Sequence, residues 1–207
     1  MQVVPRVPLD HPATYDDLVA VPDHLVAEIL DDELYTSPRP ALRHSLAASS
    51  LGALLLPPFD HGRGGPGGWL ILDEPELHFG RDVLVPDLAG WRRGRLPQVP
   101  DAAWLSLAPD WLCEVLSPST TTIDRTKKLR IYAREGVGHA WLVDPIAQTL
   151  EVLRLESGRW VIVATHAGHE VVRAEPFDVI DLELALLWGA PGGPAPPPAG
   201  DADRSAR

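Results

Sequence analysis

Apolar and polar residues alternate along this chain in patterns of both the strand and the helix type. Apolar runs of strand length occupy residues 69–72, 76–79, 82–87, 111–116, 140–143, 150–155 and 160–164. Helical spacing occurs over 41–56, through Leu42 and Leu46, and again over about 122–134. These stretches end near Pro57-Pro58 and Gly136, which commonly stop helices. The pattern therefore predicts an α/β (α+β) fold in which helices flank a mixed sheet.

Shorter signals predict additional β-hairpins and the limits of the domain. The apolar stretch 24–30 runs into Asp31-Asp32, and Ser157-Gly158 separates two of the later strand candidates. Both dipeptides are typical of tight hairpin turns. From Gly189 onwards the chain is rich in Pro, Gly and Ala and has too few apolar residues to build a core. We therefore expect one domain over 1–188 and a disordered tail over 189–207.

Composition narrows the classes of protein to which the chain can belong. Its 207 residues include 18 Lys and Arg against 29 Asp and Glu, which gives a net charge of −11 and argues against non-specific nucleic-acid binding by the whole surface. No apolar run approaches the ~18 residues of a membrane helix, and the N-terminus lacks a signal-peptide pattern. One cysteine, Cys113, excludes an internal disulfide and fits a reducing compartment. We expect a cytoplasmic protein with no membrane partner.

Two carboxylates lie within the most apolar strand candidates. Asp87 ends the run 82–87, and Glu114 lies in 111–116, where it shares a side with other apolar residues. A buried carboxylate must be neutral, paired or bound to a metal, and two adjacent carboxylates repel unless a cation lies between them. Two interpretations stay open. Either Asp87 caps a turn and Glu114 pairs with an arginine, or both hold a cation.

The helix predicted over 122–134 carries the only two lysines of the chain, Lys127 and Lys128, against 16 arginines. On a helical wheel, Leu129, Tyr132 and Ala133 form the apolar stripe that faces the sheet. Lys128 lies beside this stripe, Arg125 falls within it at the first turn, and Lys127 points towards solvent. Lys128 is therefore the lysine positioned to reach a site built by the two carboxylates.

Three segments together resemble a known family. They are Pro109-Asp-Trp-Leu-Cys-Glu-Val-Leu-Ser-Pro-Ser-Thr, Asp124-Arg-Thr-Lys-Lys-Leu-Arg-Ile-Tyr-Ala-Arg-Glu-Gly-Val and Ala140-Trp-Leu-Val-Asp-Pro. They resemble the Uma-two family of restriction-endonuclease-like proteins, which belongs to the PD-(D/E)XK nuclease superfamily. Pro86-Asp87 is similar to the first motif of that superfamily. The resemblance covers about residues 14–188 and implies a restriction-endonuclease-like core.

The resemblance also implies a set of site residues. Asp87, Glu114 and the main-chain carbonyl of Val115 would hold Mg²⁺, for which Mn²⁺ can substitute. The usual lysine two residues after the glutamate is absent, because Leu116 stands there, and Lys128 would supply its charge from the helix. Three further residues match supporting positions of the family or its helix motif: Glu28, His44 and Asp124.

These residues imply a Mg²⁺-dependent endonuclease that hydrolyses phosphodiester bonds in DNA through a metal-activated water. Arg92, Arg93 and Arg125 are candidate phosphate contacts, although a solvated loop is the commoner meaning of the run around Arg92. A homodimer would let two sites cut two strands. The alternative is a catalytically silent module of the same fold that binds nucleic acid or a protein. The acidic net charge and the missing lysine after Glu114 favour that alternative.

Overall fold

The computed structural model describes residues 6–190, so the predicted tail lies outside the described residues apart from its first two positions. Its strands are β1 Leu25–Leu30, β2 Glu33–Pro38, β3 Trp69–Asp73, β4 Leu77–Phe79, β5 Asp82–Leu84, β6 Leu88–Arg92, β7 Trp111–Val115, β8 His139–Asp144, β9 Thr149–Glu156, β10 Arg159–Ala167, β11 Val171–Val172 and β12 Leu182–Glu183. Its helices are α1 Tyr15–Val19, α2 Leu42–Leu55, α3 Thr121–Ile123 and α4 Leu129–Arg134. Single π-helical turns occupy Leu56–Asp60 and Asp124–Lys128, and a 3₁₀-helix spans Leu184–Trp188.

Two larger sheets organise these strands. The first contains six strands in the order β10-β9-β8-β7-β6-β3, and the second contains four in the order β2-β1-β5-β4. Within the six-stranded sheet, β7 and β8 run parallel and their neighbours run antiparallel. The parallel pair requires a crossover, which the helical segment from α3 to α4 provides. The predicted mixed sheet with added hairpins is therefore confirmed.

Both predicted hairpins form at the expected dipeptides. The β1–β2 turn places Asp31 and Asp32 at φ values of 54° and 64°, and the β9–β10 turn places Ser157 and Gly158 at 49° and 77°. Two consecutive left-handed residues match the right-handed twist of the strands that they join. Local sequence was therefore sufficient to locate these turns.

The six-stranded sheet has a buried layer on each face. On one face α2 and the 3₁₀-helix cover β3, β6, β7, β8 and β9, and on the other α4 and the four-stranded sheet cover the opposite side chains. Helix α2 is confirmed, but its buried side chains are Ala47, Leu51 and Leu55, whereas Leu42 is 89% exposed. Gly52 lies on the same buried side of α2, facing Leu88 of β6.

The strand predicted over 82–87 is shorter than expected, and a strand follows it that the pattern did not predict. β5 ends at Leu84, because the Val85 N–H donates to Glu28 and Pro86 has no N–H to donate. Asp87 therefore lies between β5 and β6 rather than on a strand face. β6 pairs with β7, so Asp87 still arrives beside the end of β7. Within residues 6–190, no helix is long and apolar enough to cross a membrane.

Candidate functional site

Glu114 and Lys128 form the buried centre of the candidate site. Side-chain alternation on β7 sends Cys113 into the layer under α2 and Glu114 to the opposite face. The Lys128 ammonium lies 2.8 Å from Oε1 of Glu114 and 2.9 Å from Oε2. The hydroxyl of Tyr132, one helical turn further along, donates to Oε1 at 2.6 Å. The sequence predicted Tyr132 only as a core residue, so this hydrogen bond is new.

Glu28 from β1 completes the environment of the lysine. Its Oε1 lies 3.1 Å from Nζ of Lys128 and accepts the Val85 N–H at 2.8 Å. The ammonium also donates to the Val85 carbonyl at 3.5 Å. Glu28 therefore connects the four-stranded sheet to the helix and ties both to the chain that leads into Asp87.

Asp87 bridges α2 and the end of β7. Its Oδ2 accepts the Val115 N–H at 2.6 Å, and its Oδ1 lies 3.1 Å from Nε2 of His44. The other ring nitrogen of His44, Nδ1, is buried and has no hydrogen-bond partner among the described residues. The aspartate is thereby fixed beside the main chain that continues from Glu114.

Asp124 and Lys128 begin and end the π-helical turn, and both are buried. Asp124 Oδ1 lies 3.7 Å from Nζ of Lys128. The wider turn rotates the residues before α4 relative to an ideal helical wheel. For that reason Arg125, which the wheel placed in the buried stripe, is exposed and pairs with Glu151 of β9 at 2.7 Å.

These residues line one pocket of about 270 Å³. Its lining includes the predicted carboxylates, the predicted lysine, His44 and Val115, together with Glu74 and Arg39, which the sequence analysis did not single out. Five lining side chains are carboxylic acids: Glu28, Glu74, Asp87, Glu114 and Asp124. Because Lys128 and Arg39 are its permanent cations, the pocket carries an excess of negative charge.

Burial and this crowding of carboxylates shift the pKa values of the pocket. Burial raises the pKa of Asp124 to about 6, although Lys128 opposes the change. Burial also raises the pKa of Glu114, with contributions from Asp124, Asp87 and Glu28 and opposition from Lys128. Burial alone would lower the pKa of Lys128, but the surrounding carboxylates raise it and keep the ammonium charged.

The pKa of His44 is raised by a neighbouring carboxylate, whereas burial raises the pKa values of Glu114 and Asp124. Burial alone would lower its pKa, but the hydrogen bond and charge of Asp87 outweigh burial and raise it. Asp124 and Glu74 act in the same direction from further away. The imidazolium of His44 is therefore favoured beside Asp87.

None of the three predicted phosphate contacts lines the pocket. Arg93 pairs with Asp60 at 2.8 Å, and the guanidinium of Arg92 lies over the ring of Trp69 at 3.9 Å. Arg125 is held by Glu151, as described above. Lys127 is not free in solvent as predicted, because it contacts Asp31 at 3.2 Å and Glu33 at 3.0 Å.

The donor set fits a hard divalent cation in charge and in ligand type. Asp87 and Glu114 offer carboxylate oxygens next to the main chain of Val115, and the pocket has carboxylates in excess. Within residues 6–190, no three His, Cys, Asp or Glu side chains converge closely enough to hold a metal on their own. The predicted ligand set needs only two such side chains, because a main-chain carbonyl and water supply the other ligands. Both oxygens of Glu114 already accept hydrogen bonds, so binding would exchange at least one of them.

Comparison with known proteins identifies a family and a solved structure with the same fold. Residues 12–186 match the model of the Uma2 family, which is described as "Putative restriction endonuclease". The chain belongs to the Uma2 family. A crystal structure from Anabaena variabilis, described as "a putative nuclease belonging to DUF820", has the same fold with a TM-score of 0.68. The Uma2 chain is 23% identical to it, and the alignment covers 86% of this chain and 98% of that one. A search of curated protein sequences gave no match.

Proposed function

We propose that this Uma2 protein is a Mg²⁺-dependent endonuclease of the PD-(D/E)XK type that hydrolyses phosphodiester bonds in DNA. The observation that carries the proposal is that Asp87, Glu114 and Lys128 line one negatively charged pocket. Family membership supports a nucleic acid as the substrate. Asp87, Glu114 and the carbonyl of Val115 would hold the ion.

A bound Mg²⁺ ion would lower the pKa of a water molecule and stabilise negative charge on the phosphate. The protein side chains provide the remaining functions. Lys128, held charged by Glu28 and Glu114, supplies a positive charge at the buried end of the pocket. His44 and the Val115 N–H orient the Asp87 carboxylate, and Tyr132 orients Glu114.

One observation favours the silent nuclease-fold module as a second candidate. Lys128 and Tyr132 together donate hydrogen bonds to both oxygens of Glu114, so this buried carboxylate has partners without any ion. In such a module Glu114 and Lys128 would serve only to hold the helix against the sheet. The two candidates differ in whether the pocket binds a divalent cation.

Calorimetric titration with Mn²⁺ separates them. We expect wild-type protein to bind the ion, and Asp87→Asn and Glu114→Gln each to abolish binding while conserving side-chain shape. Asp82→Asn is the control, because Asp82 is also a buried carboxylate but pairs with Arg134 outside the pocket. An absence of binding by the wild type would favour the silent module.

Cleavage of supercoiled plasmid and of branched DNA in Mg²⁺ then tests the activity itself. We expect the wild type to cut and the Asp87→Asn and Lys128→Ala variants to be inactive, with Asp82→Asn retaining activity. A homodimer that cuts both strands would give linear plasmid, whereas a single site would give nicked circles. Full cleavage by Asp87→Asn would overturn the proposed site.

A further inference from the structure

The pocket has one exposed cationic side chain that can contact a phosphate, namely that of Arg39. Lys128 is buried and surrounded by Glu28, Glu114 and Asp124. Among the arginines in the part of the chain that the structure describes, Arg39 alone lines the pocket. An arginine at this position matters because five carboxylic acids in the lining would otherwise repel a polyanion.

Arg39 is exposed and forms no ion pair with any described residue. One guanidinium nitrogen, Nη2, donates to the Asp23 carbonyl at 2.7 Å. That bond uses a neutral acceptor, so the charge of Arg39 is not neutralised and the remaining donors of the fork stay available. The arginines that the sequence suggested as phosphate contacts, Arg92, Arg93 and Arg125, all lie outside the pocket.

The backbone around Arg39 is stiff. Pro38 ends β2 and Pro40 follows Arg39, so the prolines fix φ on either side and restrict Arg39 itself to extended conformations. The segment joins β2 to α2, and these elements also fix Glu28 and His44 through β1 and the first turn of α2. The backbone from which the Arg39 side chain extends is therefore restricted beside the pocket.

From this arrangement we propose that Arg39 is a substrate-binding residue that contacts a backbone phosphate of the DNA at the entrance of the pocket. The planar guanidinium matches two phosphate oxygens, and the acidic interior is left to the metal. The inference rests on the proposed nuclease function and adds a contact on the substrate side. It assigns to Arg39 the role that the sequence suggested for Arg92, Arg93 and Arg125.

Binding of a fluorescent duplex of about 20 base pairs, measured against KCl concentration, tests the proposal. Ca²⁺ replaces Mg²⁺ in this assay, because it takes the same oxygen ligands. The variants are Arg39→Gln, Arg39→Lys and, as a matched control, Arg159→Gln. Arg159 is also exposed and has no ion pair with a described residue, but it begins β10, three strands away from β7.

We expect Arg39→Gln to weaken binding by about tenfold or more and to reduce the salt slope by about one unit. Arg39→Lys should restore the slope, because it restores the charge, but only part of the affinity. Arg159→Gln should match the wild type. A purely structural role for Arg39 would lower the melting temperature without changing the salt slope.

Two results would overturn the assignment: Arg39→Gln and Arg159→Gln giving equal affinity and slope, or wild-type protein failing to bind the duplex. The first result is distinct from failure of the proposed function, whereas the second would count against the DNA nuclease as well. If Arg39→Gln leaves DNA cleavage unchanged, the nuclease proposal stands and the role assigned to Arg39 is rejected. If binding depends on Arg39 but no cleavage occurs, the phosphate contact of Arg39 stands and the proposed nuclease activity is rejected.

Discussion

The ammonium of Lys128 lies 2.8 Å from the carboxylate of Glu114, although the two residues come from a strand and from the helix that follows it. Both side chains are almost fully buried, at 4% and 3% exposure. In the proposed nuclease site, this pair would replace the arrangement in which a lysine follows the glutamate by two residues on the same strand. The positive charge beside Glu114 comes from the helical segment, because Leu116 stands two residues after Glu114.

Replacement of Lys128 by arginine should destabilise the folded protein. The ammonium lies between Glu28 and Glu114 in a closed environment, and the larger planar guanidinium would force its neighbours apart. We expect Lys128→Arg to lower the free energy of unfolding by about 1–3 kcal/mol in urea titration. Lys127→Arg is the matched control and should change it by less than about 0.5 kcal/mol. Equal stability of both variants would contradict the tight fit.

His44 should stabilise the fold in a pH-dependent manner. Its pKa is raised in the folded protein, so its contribution is complete below 6.5 and is lost as pH rises through the folded-state value. His44→Gln should therefore cost about 1.5–3 kcal/mol at about pH 5.5 and less at about pH 8.5. Urea unfolding at both pH values measures this difference. His169→Gln, at an exposed position, should show no such trend, and a cost that grows with pH would refute the prediction.

Asp124 should also make the fold less stable as pH rises, because burial disfavours its ionised form. Its pKa is 3.8 in the unfolded chain and about 6 in the folded protein, so stability falls as pH rises between these two values and levels off above about 6. Relative to wild type, Asp124→Asn should gain stability as pH rises between these values, on the order of 2–3 kcal/mol in total. Unfolding curves between about pH 4 and pH 8 test this. A difference independent of pH would show that Asp124 is not perturbed in this way.

Phe177 should be a major determinant of stability. Its ring lies 4.5–5.6 Å from those of Phe59, Trp69, Trp111 and Trp141, in the layer beneath α2. Phe177→Ala should cost about 3–5 kcal/mol, because a cavity would remain among large rings that cannot collapse. Val179→Ala is the control, since Val179 is 59% exposed, and denaturant unfolding compares the two. A cost below that of Val179→Ala would contradict this packing.

The sequence predicted most of the site residues but not their mutual contacts. Alternation on β7 correctly placed Glu114 opposite Cys113, and the wheel correctly brought Lys128 towards the sheet. The same wheel failed for Arg125, because a π-helical turn changes the number of residues per turn. The strand predicted to run as far as Asp87 also ends early, since Glu28 accepts the Val85 N–H and β5 stops at Leu84.

By itself, the sequence determined the local features of this Uma2 protein: the two hairpin turns, the helices, the buried carboxylates and the family motifs. These features depend on side-chain chemistry and on periodicity over a few residues. Only the tertiary structure decided that Glu28 meets Val85, 57 residues away, that Tyr132 donates to Glu114, and that Arg39 lines the pocket. Such contacts depend on sheet register and on how helices lie across the sheet, which no short stretch of sequence specifies.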